Sequence, residues 1–325
     1  MQEATAEVRD SFGMNTEVTY RVFGEKPEEA IDSAMIELTR LENKLSRYIE
    51  DSEISRINQS AGRQESEISA ETMELLSLAI RLSVITQGLF DVTIGPLVDL
   101  WDYKHSHHVP EKSKILTALS LVNYCDLRLN LQEKKAGLNK TGQSIDLGGI
   151  GKGYASDRCI EILKEKGISS AFVNIGGNVS TLGNKPDGSL WSVGIRHPRQ
   201  KGCLLGAVKL TDKAVVTSGD YERYFIDQEG KRRHHILNPN TGYPSESVLI
   251  SATVIADRGM IADALSTAIF MAGIEKGIGY LQEFPGTEAI LMDHDQKIYI
   301  SAGLKEKFQS VGGMKIIVVG KEQVR

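Results

Sequence analysis

Asp263 and Thr267 stand four residues apart in Asp263-Ala264-Leu265-Ser266-Thr267-Ala268. If residues 259–273 are helical, the two side chains leave one face, a turn apart. They then offer a carboxylate and a hydroxyl, hard oxygen donors of the kind Mg²⁺ takes, with water or phosphate filling the other positions. The same pattern also fits an Asp favoured near the positive end of its helix, with Thr267 merely packed. Upstream, Ile145–Tyr154 carries Gly148, Gly149, Gly151 and Gly153 ahead of a helical pattern. Backbone without Cβ lets an anion approach closely, a helix N-terminus offers unpaired N–H groups, and Lys152 adds a positive charge. The run is neither GxxxxGK[ST] nor a GxGxxG following a strand. A tight turn that needs glycine geometry accounts for it equally. A third segment, Arg232–Pro244, sets His235 before a rigid Asn-Pro and Thr-Gly-Tyr-Pro loop, where it could act as a general base. A packed or solvent-facing histidine pair is the alternative.

Other segments carry less. Thr217–Tyr224, Gly88–Leu97 and Asn174–Asn178 each read as plain turns when taken alone. His105, His107 and His108 lie in a polar loop without partner ligands at useful spacing, which favours a solvated loop over a metal cluster. The three cysteines, Cys125, Cys159 and Cys203, are far apart, which excludes a zinc knuckle or a disulfide framework. A net charge of −5 argues against broad electrostatic binding to nucleic acid, so a phosphate-bearing ligand must be held locally.

Apolar spacing supplies the elements that must position these groups. Ile31, Ala34, Met35, Leu38, Leu41 and Leu45 mark a helix over 27–47. Further helices are expected at 70–87 (Ser69 as N-cap, Gly88 as C′), 111–124, 154–166 and 259–273, the last continuing to 283. Strands are expected at 16–22, 170–174, 190–195, 205–210, 214–218, 248–255, 287–292, 297–301 and 314–319. Helices lead and strands dominate the middle, which favours α+β over regular βαβ winding. Without repeats or linkers, residues 14–305 read as one unit. Residues 1–13 read as a disordered lead, and 306–325 as a C-terminal strand or tail. The first residues lack the basic start and apolar core of a signal peptide. The chain is therefore cytoplasmic as it stands, or membrane-anchored or extracytoplasmic if an export signal has been removed.

Taken in order, these segments resemble the ApbE-type FAD:protein FMN transferases. The resemblance rests on Met14-Asn15-Thr16, Leu45–Tyr48, Ser52–Asn58, Phe90–Thr93, Asp146–Tyr154, Asn174–Asn178, Ser218–Tyr224, His235–Pro244 and Asp263–Ala268. It implies a bilobed α+β fold related to the tunnelling fold, with FAD between the lobes. It also implies Mg²⁺-dependent transfer of FMN from FAD to a Thr or Ser hydroxyl of an acceptor flavoprotein, forming a phosphoester and releasing AMP. The implied acceptor is a membrane redox-complex subunit or an FMN-binding domain. By resemblance, Asp263, Thr267 and the Gly151 carbonyl hold the metal and His235 takes the hydroxyl proton. Met14, Tyr48, Phe90, Asp91, Gly148, Gly149, Lys152 and Ile236 contact the flavin nucleotide. Asn178, Asn238 and Asn240 depart from the family's more usual Asp, Asp and Arg. A Mg²⁺-dependent FAD pyrophosphatase and a non-catalytic flavin-delivery protein are the competing functions. An older reading as a thiamine-pathway lipoprotein has no support at residue level.

Overall fold

The structure is a computed structural model that describes residues 6–320. Its helices are α1 (Pro27–Leu45), α2 (Glu53–Gln59), α3 (Ala70–Ile85), α4 (Gly95–Trp101), α5 (Lys112–Leu119), α6 (Gly151–Glu165), α7 (Gly259–Ala272) and α8 (Ile274–Tyr280). A nine-stranded sheet forms the spine, in the order Glu7–Gly13, Thr16–Phe23, Ser170–Ile175, Asn178–Leu182, Ala214–Gly219, Leu249–Ala256, Glu288–Asp293, Ile298–Ser301 and Ile316–Val319. Neighbours are antiparallel except the last pair, which is parallel.

Side-chain alternation divides the sheet's two faces. Val18, Tyr20, Val173, Ala214, Val216, Ala252 and Val254 join the core under α1, α6 and α7. On the opposite face Val215, Ile255, Ile290 and Ile300 meet Val193, Ile195 and Val208 of a small sheet. Leu249–Ala256, covered on both faces, is therefore buried along its whole length. A satellite core gathers Leu97 and Trp101 of α4, Ile115 and Ala118 of α5, Phe225 and Leu237. The α+β architecture is thus observed, with a sheet-and-helix body and a smaller apolar centre beside it.

At the N-terminal end one reading needs correction. Glu7–Gly13 is a strand paired along its whole length with Thr16–Phe23, not part of a disordered lead. Its polar composition misled because only one face packs, against α1, as an edge strand allows. Residues 1–5 lie outside the described residues. Beyond residue 305, Phe308–Ser310 pairs with Leu204–Leu210 and Ile316–Val319 closes the main sheet, so these strands belong to the body of the fold. The short helices α2 and α4 were not legible as periodic runs. Each is seven residues long and spans too few turns to show a pattern. The helix expected at 111–124 stops at Leu119. Among the described residues no helix is long and apolar enough to cross a membrane.

Candidate active site

The site is built on the crossing of α6 and α7. A Cβ on Gly153 would stand 2.2 Å from the Gly259 carbonyl oxygen and 2.8 Å from Asp263 Cβ, so the two backbones meet where only glycine fits. Asp157 of α6 fixes the contact by accepting from the N–H groups of Gly259 and Met260, which begin α7. This cap is not legible in the sequence, since it comes from another helix. Burial pushes the Asp157 carboxyl up to about 6, against those two bonds and the charge of Arg258.

This crossing delivers Asp263 to the glycine loop. Its buried carboxylate accepts from Gly153 N–H through Oδ2 at 2.9 Å, leaving Oδ1 with Lys152 Nζ at 3.9 Å. Thr267 follows one turn on, as the spacing predicts. The position a Gly149 Cβ would take lies 3.7 Å from Thr267 Oγ1 and 3.2 Å from Phe90 Cε2. That of Gly151 faces Leu147 and Met14 instead. Gly151 is also the first residue of α6, so its carbonyl belongs to the helix's own ladder. Gly153 N–H, four residues beyond Gly149, bonds to Asp263 instead, and no described donor reaches the Gly149 carbonyl. Gly151, whose carbonyl the resemblance assigns to the metal, thus opens α6, which begins three residues earlier than its apolar spacing indicated. These oxygens suit a hard cation. Among the described residues no group of three or more His, Cys, Asp or Glu side chains could hold a metal, so an ion here would need hydroxyl and carbonyl oxygens beside the Asp263 carboxylate.

The loop is held from behind. Asp146 Oδ1 accepts from Gly148 N–H at 2.7 Å, and its Oδ2 takes Arg47 Nη1 at 3.1 Å. Arg47 also reaches Asp99 at 2.6 Å and the Gly95 carbonyl at 3.3 Å. This tie between three distant segments was visible only as separate pieces of the family pattern.

Two neighbouring histidines divide structural and chemical roles. His234 is buried, with Nε2 donating to the Ser245 carbonyl and Nδ1 accepting from Ile236 N–H. Its ring stands edge-on to Phe270, so both nitrogens are used. His235, half-buried, faces the other way. Its Nδ1 lies 3.3 Å from the Arg223 carbonyl, and a carbonyl only accepts, so Nδ1 carries the hydrogen and Nε2 is bare. Desolvation, then the charge of Arg223, holds its pKa down to about 3, with smaller contributions from His234 and Lys152. The loop after it is braced by Trp101 Nε1 donating to the Gly242 carbonyl at 2.8 Å. Asn238 Oδ1 accepts from Asn240 N–H at 2.9 Å, the bond an Asp would make there, so that departure is conservative. Asn178 leaves its buried Nδ2 without a partner. Nothing in the structure explains Asn240.

The other expected contacts are distributed unevenly. Met14 adjoins Gly151, and its N–H donates to Glu42 at 3.0 Å. Tyr48 is 70% exposed, with Lys104 Nζ 5.2 Å above its ring and Arg47 at 5.7 Å, so its face is open to stacking. Phe90 and Ile236 are buried and back the site rather than line it openly. Asp91 is engaged within the fold: one oxygen accepts from Thr93 N–H and Oγ1 at 2.7 Å each, the other from Tyr124 N–H at 2.8 Å. Its carboxylate is spent inside the fold, as a buried turn residue must be.

The chain matches the ApbE family over residues 14–291. It is 34% identical over 294 residues to a FAD:protein FMN transferase of Klebsiella pneumoniae, covering 89% of this chain and 91% of that protein. It is 32% identical over 308 residues to one of Treponema pallidum, covering 88% and 84%. Among solved structures, the ApbE protein of Thermotoga maritima superposes with a TM-score of 0.85 at 31% identity, covering 94% of this chain and all (100%) of that one. The flavin transferase ApbE of Vibrio cholerae gives 0.84 at 27%, covering 94% and 99%.

Proposed function

The chain belongs to the ApbE family, and from that premise we propose that it is a FAD:protein FMN transferase, moving FMN from FAD onto a Thr or Ser hydroxyl of an acceptor flavoprotein. The observation that carries this reading is the placement of Asp263 and Thr267, one turn apart on α7, against a glycine loop that bears Lys152 and whose Gly153 N–H bonds to Asp263. Their side-chain oxygens and the Gly151 carbonyl would hold Mg²⁺, which would supply charge neutralisation on the pyrophosphate of bound FAD.

The chain's own groups do the rest. The first turn of α6 and Lys152 receive the phosphates. Tyr48 offers an exposed ring for stacking and Met14 borders the loop. His235 accepts the acceptor hydroxyl's proton at Nε2. The hydroxyl oxygen then bonds to the FMN-side phosphorus as the P–O bond to AMP breaks, and AMP leaves with the electron pair. Products are the FMN phosphoester, AMP and the proton held on His235.

With water in place of the acceptor hydroxyl, the same site would hydrolyse FAD to FMN and AMP. Incubation with FAD and an acceptor flavoprotein domain, with and without Mg²⁺, separates the two. Transfer gives covalent flavin fluorescence on the acceptor, whereas soluble FMN with unlabelled acceptor would reject it. Asp263→Asn keeps an acceptor for Gly153 N–H and removes the charge. It is expected to lower Mg²⁺-dependent AMP release by at least about 100-fold with the fold intact. Undiminished release would sink the metal assignment.

A further inference from the structure

Thr267 can serve a cation only if its hydroxyl hydrogen points away from the ion, and the structure contains a device that directs it. Ser266 Oγ donates to the Asp263 carbonyl at 2.8 Å, which leaves its oxygen free to accept. Ser218, at the end of the strand Ala214–Gly219, stands 2.8 Å from Ser266 Oγ and 3.1 Å from Thr267 Oγ1. A serine has one hydrogen to give. With Ser218 O–H committed to Ser266, its oxygen is left to accept from Thr267. The competing acceptor for Thr267, the Asp263 carbonyl, is farther, at 3.4 Å, and already takes the Ser266 hydrogen. The hydroxyls thus form a one-way chain: Thr267 to Ser218, Ser218 to Ser266, Ser266 to the Asp263 carbonyl.

We propose that Ser218 is a positioning residue that draws the Thr267 hydrogen toward the sheet and so turns the Thr267 oxygen toward the cation. The proposal rests on the reading of Asp263 and Thr267 as metal ligands. In this assignment Ser218 acts on the Thr267 hydroxyl and is not itself a ligand. Its effect passes through Thr267 alone, as partners of metal ligands orient their lone pairs elsewhere.

Mn²⁺ binding to the full chain, followed by electron paramagnetic resonance without FAD, tests it. Ser218→Ala is expected to raise the Mn²⁺ Kd about tenfold. FAD affinity in EDTA and the melting temperature should stay near the parent's. The decisive comparison is a double-mutant cycle: in a Thr267→Ala background, Ser218→Ala should cost nothing further. An unchanged Kd in Ser218→Ala, or the same loss in both backgrounds, would overturn the proposal. If Asp263→Asn and Thr267→Ala also leave Mn²⁺ affinity untouched, the metal reading itself falls. Should Ser218→Ala not fold, Ser266→Ala reads the same chain. It frees the Ser218 hydrogen to compete for Thr267 and should raise the Kd about threefold, a smaller effect of the same kind; no rise would count against the device.

Discussion

His235 owes its readiness as a base to two separate facts, a committed Nδ1 hydrogen and a depressed pKa. A histidine held near 3 is neutral throughout the physiological range. Protonation of His235 in the free enzyme should therefore depress kcat/KM only as pH falls toward about 3, not through the ordinary histidine value near 6.5. His235→Gln should cost roughly 100- to 10,000-fold in transfer, with FAD binding retained. A limb centred near the ordinary value that disappears in this variant would contradict the depressed value, whereas FAD-dependent transfer undiminished in the variant would contradict His235 as the base. At this scale the sequence was informative where spacing alone decides geometry, as for Asp263 and Thr267. It was less informative about where α6 begins, because the glycines of its first turn carry no apolar spacing to mark the start. Nor could it show that the Asp91 carboxylate turns inward, since Thr93 and Tyr124, which occupy it, are identified by the fold.

Among the elements, the pair α6 and α7 matters most, because the same backbone contact sets both the helix crossing and the site. Gly153→Ala would drive a methyl into the Gly259 carbonyl, and backbone cannot yield as a flexible side chain does. A loss of about 1–3 kcal/mol is expected from overpacking, measurable by urea unfolding. Mn²⁺ affinity should fall with it, because Asp263 is displaced from the Gly153 N–H. Unchanged stability would show that the crossing has slack. Most strands were legible from alternation and turn residues, and the principal helices from their apolar stripes. The pieces that escaped were short, such as α2 and α4, or polar, such as Glu7–Gly13, whose partner strand is what makes it a strand.

For the whole molecule, two half-buried carboxylates give stability a pH dependence with opposing parts. Asp157 has its folded pKa raised from 3.8 to about 6. As pH falls through that window the folded chain takes up a proton before the unfolded chain does, so this group adds stability on acidification. Glu71, bonded to Arg40 and Lys44, has its folded value lowered from 4.5 to about 2. Its contribution is present above the upper value and is lost as pH falls through the lower one. Comparing unfolding free energies of the parent and Asp157→Asn across mildly acidic pH isolates the first. The parent's stability relative to the variant should rise toward lower pH, and a constant difference would show that Asp157 does not titrate there. The hairpin Tyr224–Ile226 and Arg232–His234 links the satellite core to the main body, and it sets His234 and His235 on opposite sides of one chain. Which imidazole is available for chemistry is therefore a matter of strand phase. A single-residue slip would present a ring with both nitrogens already engaged and bury the free one. Insertions at the exposed turn around Gly230 leave that phase intact, whereas deletion of one residue within the paired strand Arg232–His234 reverses it, so the strand's register is itself a functional specification.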